Sequence, residues 1–183
     1  MAVGAEPLVV WINGAFGVGK TAVADELVRL LPDAVLFDPE ELGVVLRAVV
    51  PVAEQTDDFQ DIAAWRATTL AAVVSLARSR SGVVVVPMTV VDDSYFDEIV
   101  GGVRRSGVGV LHVALVAPSD VIEARLRARS HMERWGLDRV DRCVSALDGA
   151  QFAEHLDASA ATPAQLARRI RTRVADPCAG ASS

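Results

Sequence analysis

Apolar positions along this chain follow two alternating rhythms. Short unbroken runs stand at residues 8–13 (Leu8-Val9-Val10-Trp11-Ile12-Asn13), 34–37, 83–87 and 108–116, with a last short run at 154–157. Runs of this kind suit strands buried on both faces of a parallel sheet. Between them lie longer stretches with mixed polar and apolar residues, which predict helices over 20–31, 39–50, 61–80, 92–106 and 119–130, a further helix ending near 147, and a last one opening at 162. Local punctuation supports this division. Asp38 caps a helix with Pro39 at its first position and Glu41 three residues after the cap, and Thr162-Pro163-Ala164-Gln165 is a second capping box. Ser119 is expected to cap the helix that follows it. Strands alternating with helices predict a right-handed, three-layer α/β sandwich around a five-stranded parallel sheet. One domain over residues 1–176 is expected, with a disordered tail at 177–183.

Composition narrows what such a domain does. The chain has 183 residues, 51% of them hydrophobic, and a net charge of −6. That balance argues against a nucleic-acid-binding surface. The longest apolar run, 108–118, contains His112 and is too short to span a bilayer. The first seven residues have no basic start and no apolar core, so no secretory signal is expected and the location is read as cytoplasmic. Cys143 and Cys178 lack metal-ligand spacing and read as reduced thiols. His112, His131 and His155 are scattered, and none joins a metal or triad constellation.

The sharpest chemical signal is the only lysine of the chain, beside 17 arginines. Lys20 closes the stretch Gly14-Ala15-Phe16-Gly17-Val18-Gly19-Lys20-Thr21, which fits G-x-x-x-x-G-K-[ST] between a predicted strand and a predicted helix. Glycines let backbone N–H groups converge on phosphates, and a helix N-terminus adds positive potential. Lys20 is expected on the β- and γ-phosphates of ATP, and the Thr21 hydroxyl on Mg²⁺. The fold expected is therefore the P-loop NTPase fold of nucleoside and nucleotide kinases. No Asn-Lys-x-Asp motif is present, which sets the chain apart from GTPases. The third strand carries no terminal aspartate for the metal.

Three further regions complete the expected site. Arg125, Arg127, Arg129, Arg134, Arg139 and Arg142 crowd a helix–cap–helix segment at about 125–142, which reads as a lid that places positive charge over a transferring phosphoryl group. Arg125 and Arg129 share one helix face and are the foremost candidates, followed by Arg134; Arg142 has a structural ion pair as an equal reading. On the acceptor side, Asp38 stands beyond the second strand, as a helix cap, a proton acceptor or both. Gln60, Trp65 and Arg66 follow as substrate contacts, although Trp65 reads equally well as core. Asp92 and Asp93 are caps or approach the site. On the base side, the loop containing Ala158 is expected to pass beside the adenine.

The blocks Trp11–Thr21, Phe37-Asp38-Pro39-Glu40, Asp57-Asp58-Phe59-Gln60, Trp65-Arg66, Val86-Pro87-Met88-Thr89 and Asp141-Arg142-Cys143 together resemble the tunicamycin-resistance (TmrB-like) family, over nearly the whole chain to about residue 175. The resemblance implies an ATP-binding P-loop protein of resistance type, related in fold to nucleoside and antibiotic kinases, with Gly14, Gly19, Lys20 and Thr21 as nucleotide contacts. The implied activity is phosphoryl transfer from ATP to a hydroxyl of a nucleoside-type antibiotic such as tunicamycin. The alternative is binding that sequesters the drug without phosphorylating it. The expected partner is this small molecule, with the protein a monomer or homodimer.

Overall fold

The structure, a computed structural model, describes residues 6–52, 55–128, 139–152 and 154–175. The chain runs β1 (Leu8–Gly14), α1 (Lys20–Leu30), β2 (Val35–Leu36), α2 (Pro39–Val49), a 3₁₀ turn (Phe59–Asp61), α3 (Ala63–Ser79) and β3 (Val83–Pro87). A rod of three continuous pieces follows: an α turn at Asp93–Phe96, a π-helical stretch at Asp97–Gly101 and an α turn at Gly102–Arg105, here called α4. Then come β4 (Gly109–Val116), α5 (Ser119–Arg127), α6 (Val140–Leu147), a 3₁₀ turn (Ala150–Phe152), β5 (His155–Asp157) and α7 (Pro163–Ala175).

All five strands are parallel, in the order β2-β3-β1-β4-β5. The expected three-layer α/β sandwich is therefore the fold observed. β1 lies at the centre, pairing Val9 with both Val84 and Val110. Its residues from Val9 to Gly14 are all buried, which is what the unbroken apolar run requires. One face packs α1 and α7 around Val10, Ile12, Val23, Leu27 and Ile170. The other packs α3 and α4 around Trp11, Trp65, Val73, Val84 and Ile99. β2 is only two residues long, shorter than the run at 34–37, because it is an edge strand pairing with β3 alone.

The caps divide between expected and corrected. Asp38 Oδ1 accepts from Glu40 N at 2.9 Å, with Pro39 at the first position of α2. Thr162 and Gln165 bond reciprocally ahead of α7, as a capping box does. Ser119 is not a cap: it is the first residue of α5, Pro118 holds the capping position, and no side chain caps that end. His112 is buried on β4 against Phe96 and Phe152. No helix among the described residues is long and apolar enough to cross a membrane. Arg129, His131 and Arg134 of the expected lid, Cys178 and the expected tail lie outside the described residues.

Candidate functional site

The site begins where β1 stops. Three glycines of the loop take positive φ angles, 148° at Gly14, 82° at Gly17 and 113° at Gly19. That region costs other residues strain. At Gly14 a Cβ would also lie 2.7 Å from Val18 Cγ1 and 2.9 Å from the Leu115 carbonyl oxygen, so the loop closes onto β4 only without a side chain. Gly19 stands at the N-terminal cap of α1, and Lys20 and Thr21 form its first turn. Free N–H groups of a helix start and its dipole favour an anion there. Lys20 is buried; its Nζ donates to the Ala15 carbonyl at 3.1 Å and sits 5.5 Å from the centre of the Phe16 ring. The Thr21 side chain is exposed beside it. These residues fit a nucleotide phosphate chain, and the Thr21 hydroxyl fits one ligand position of Mg²⁺. Among the described residues no group of three or more His, Cys, Asp or Glu is arranged to hold a metal.

The loop is fastened to its neighbour by a residue that sequence reasoning passed over. Asn13 is fully buried. Its Nδ2 donates to the Val90 carbonyl at 2.7 Å, and its Oδ1 accepts from Val90 N at 3.0 Å and Gly14 N at 2.8 Å. Thr89 Oγ1 donates to the Gly14 carbonyl at 2.7 Å. The phosphate loop and the β3–α4 loop are thus tied together. The only local signal was an amide side chain at the end of an apolar strand.

The β3–α4 loop forms the floor of a cleft of about 140 Å³ beside the phosphate loop, where Thr89 and Val91 lie below Phe16. One wall holds Gln60, Asp61 and Tyr95; Asp58, Arg139 and Arg142 also line the space. Arg139 pairs with Asp58 at 2.8 Å, tying α6 to the connection before α3. Cys143 lines the cleft as well; burial pushes its thiol up, which makes it a poor nucleophile. Asp92 is held below the usual carboxylate range by hydrogen bonds from the Ser94 side chain and the first N–H groups of α4.

Glu40 is the second residue the sequence reading missed. Although the residue keeps solvent contact, crowding of its carboxyl away from water raises its pKa, with repulsion from Asp38 and Asp58 in the same direction and attraction from Lys20 opposing. Asp38, Glu40 and Asp58 therefore share an electrostatic neighbourhood with the phosphate-loop lysine, because the first turn of α2 faces the loop.

Three expected contacts need correction. Trp65 does not offer a stacking surface. Its side chain is fully buried, packed 5.0 Å from Phe59, with its indole N–H donating to the Pro39 carbonyl at 2.9 Å. Arg66 does not line the cleft. It bonds Glu98 at 2.6 Å and the Gln60 carbonyl at 2.6 Å, and its guanidinium lies 4.2 Å from the centre of the Tyr95 ring, so it braces the cleft wall from behind. Ala158 is buried, and both of its backbone groups are used: its N–H bonds the Val116 carbonyl at 2.8 Å and its carbonyl accepts from Arg125.

Arg125 stands against the phosphate loop and the loop after β5 rather than in that cleft. It donates to the carbonyls of Val18 at 3.2 Å, Ala158 at 2.8 Å and Ser159 at 2.9 Å, which clasps the phosphate loop to the loop after β5. Next to that clasp, a cavity of about 390 Å³ opens between α5 and α6, beyond the ends of β4 and β5, with Ala15, Ile122, Val144 and Ser159 among its walls.

A phosphate loop at the carboxyl edge of a five-stranded parallel sheet, with an acidic cleft beside it, defines a P-loop nucleotide-binding protein of kinase-like fold. Comparisons agree. The family model for the AAA domain matches residues 9–149. A tunicamycin resistance protein of Deinococcus radiodurans is 33% identical, covering 92% of this chain and 95% of its own, with a TM-score of 0.79. A gluconokinase of Sinorhizobium meliloti (19% identity, 93% of each chain, TM-score 0.65) and a shikimate kinase of Bacteroides thetaiotaomicron (18% identity, 92% of this chain and 98% of that one, TM-score 0.62) share the fold. Comparison with curated protein sequences returns no significant match. The chain belongs to the AAA-domain family of P-loop proteins and to the family of that tunicamycin resistance protein.

Proposed function

We propose that the protein is an ATP-dependent phosphotransferase acting on a hydroxyl of a small molecule, a nucleoside-type antibiotic of the tunicamycin kind, and that it confers resistance by this modification. The observation that carries the reading is the cleft that opens beside the phosphate loop, lined by Phe16 together with Asp58, Gln60, Asp61 and Asp92. Phosphoryl transfer needs a second molecule held next to the nucleotide phosphates, and this cleft offers the place for one. The kinase fold of its neighbours and the name of the resistance protein support the same reading.

In this scheme ATP supplies the phosphoryl group. The amides from Gly14 to Thr21 and the Lys20 ammonium would hold its phosphates, and the Thr21 hydroxyl would help hold Mg²⁺, which would neutralise charge there. Asp38 takes the proton of the acceptor hydroxyl as that oxygen bonds to the γ-phosphorus and the bond to the β-phosphate oxygen breaks, leaving its electron pair on ADP. Glu40, whose charge interacts with that of Asp38, tunes this proton transfer. Arg142 on α6 and Arg129 of the expected lid supply positive charge to the transferring group; Arg139, paired with Asp58, holds the start of α6 in place, and Arg125 orders the nucleotide side.

The test is product analysis. The protein with ATP, Mg²⁺ and tunicamycin is expected to add one phosphate to the drug, read by mass spectrometry. Saturable drug binding without a mass gain would refute transfer to this acceptor and favour sequestration. Lys20→Ala is expected to abolish turnover with the fold retained. Asp38→Asn, which keeps a capping oxygen, is expected to lower turnover by roughly 10²–10⁴. Normal turnover with a shifted melting temperature would reduce Asp38 to a cap.

A further inference from the structure

The walls of the acceptor cleft carry more information than its place beside the phosphate loop. Gln60 is 7% exposed, yet among the described residues its side-chain amide makes no hydrogen bond and lines the cleft; only its backbone N–H and carbonyl are engaged. That amide opens into the cleft, where a ligand can take the place of water as its hydrogen-bond partner. Beside it, Asp61 accepts the Tyr95 hydroxyl at 3.1 Å through one oxygen. Both are held from behind by a chain of contacts in which Glu98 fixes Arg66, and Arg66 fixes the Gln60 carbonyl and the Tyr95 ring. The wall is therefore built and rigid before any ligand arrives.

Its charge is one-sided. Three carboxylates line the space, Asp58, Asp61 and Asp92, against two guanidinium groups, Arg139 and Arg142. Asp58 already occupies Arg139. What remains for a ligand is the oxygens of Asp61 and Asp92 and the Gln60 amide, against the single guanidinium of Arg142, whose charge already acts on Asp92. Ionised carboxylates cannot donate. A carboxylate or phosphate on the acceptor would meet like charge here, and unpaired charge against the wrong ligand is a recognised means of selection.

We propose that the wall formed by Gln60, Asp61, Tyr95 and Asp92 selects an acceptor that presents an uncharged, hydroxyl-rich moiety the size of one sugar ring, and rejects acceptors bearing a carboxylate on that moiety. Arg66 is a positioning residue for that wall. This selection rests on the cleft being the acceptor site, as proposed above, but not on phosphoryl transfer taking place.

The experiment uses Tyr95, the only tyrosine of the chain, as a reporter. The full chain, carrying carbon-labelled tyrosine, is titrated without nucleotide by methyl β-D-glucopyranoside and by methyl β-D-glucuronide. These probes differ only in a hydroxymethyl group against a carboxylate. The neutral sugar is expected to shift the Tyr95 ring signals saturably, with affinity at least about tenfold above that of the acid. Asp61→Asn combined with Asp92→Asn, which keeps shape and capping, is expected to bring the two within about threefold. In the unmodified protein, raising salt from about 0.05 to about 0.5 M is expected to narrow the gap, a readout that needs no variant to fold. Arg66→Met is expected to weaken the neutral sugar while leaving the preference between the probes in place. Equal or tighter binding of the acid, a gap unmoved by both salt and the double substitution, or no response to the neutral sugar would overturn the proposal. A drug that gains no phosphate while Tyr95 titrates as described would refute the kinase reading alone.

Discussion

Replacing Asn13 by alanine tests whether the phosphate loop and the acceptor floor work as one body. The substitution removes one donor and one doubly used acceptor from a fully buried position. The carbonyl and N–H of Val90 and the N–H of Gly14 lose their partners. A buried polar group stripped of its partner costs about 1–3 kcal/mol, and local relaxation recovers part of that, so a total near 3 kcal/mol is expected. Against a usual domain stability of about 5–15 kcal/mol, the protein stays folded but is visibly weakened in urea. The functional effect is separate. The β3–α4 loop keeps the Met88 N–H bond to the Ile12 carbonyl and the Thr89 bond to Gly14, and its part beyond Thr89 drifts relative to Lys20. A displacement near 1 Å between reacting groups costs about 10²-fold in rate. Turnover is thus expected to fall by about two orders of magnitude while affinity for a fluorescent ATP analogue changes by less than about threefold, since the loop amides and Lys20 remain. Urea melts, nucleotide titration and steady-state kinetics on the phosphorylated acceptor make the three measurements. Turnover within about threefold of the parent, at the expected loss of stability, would reduce Asn13 to a structural residue. Unchanged stability would refute the hydrogen-bond accounting itself. Thr89→Val, which removes only the 2.7 Å bond, is expected to give a smaller loss in the same direction.

Other outcomes follow from the same geometry. Gly17→Ala forces a side chain into a φ of 82° and brings its Cβ within 2.5 Å of Leu126, so nucleotide affinity is expected to fall at least about tenfold by titration, with the sheet intact by circular dichroism. Arg125→Gln opens the clasp between the phosphate loop and the loop after β5; KM for ATP is expected to rise about tenfold with little change in KM for the acceptor. Burial lowers the pKa of His112 from 6.5 to about 4, so the unfolded chain takes up the proton first as pH falls. Stability is accordingly unaffected by this group above pH 6.5 and declines between 6.5 and about 4, with about 2 kcal/mol lost by pH 5. Urea melts at pH 7 and pH 5 check this, and His112→Phe is expected to flatten that part of the profile; an equally steep decline in the variant would assign the loss to other groups.

What could be read in advance was local. The phosphate loop is a matter of glycine dihedrals and a helix start within eight residues, and the strand runs report burial on both faces directly. The caps at Asp38 and Thr162 likewise involve neighbours three residues away or less. The acceptor side was misjudged for the opposite reason. Trp65 and Arg66 sit next to each other in the chain, but one turns into the core and bonds Pro39, while the other turns towards Glu98. Nothing in adjacent residues distinguishes an aromatic ring that stacks on a ligand from one that fills a core. Glu40 looked like an ordinary first-turn glutamate because its relation to Lys20 depends on how α2 lies across the loop.

By itself, then, the sequence determined the sheet, its parallel sense and the phosphate loop of a kinase-like fold, since these depend on periodicity and on backbone freedom at a few glycines. Only the tertiary structure decided which polar groups meet. Asn13 reaches Val90 across 77 positions, Arg139 reaches Asp58 across 81, and Arg125 reaches Val18 across 107. Such pairings are set by the packing of whole elements, and a side chain's role at the site follows from the partner that packing gives it.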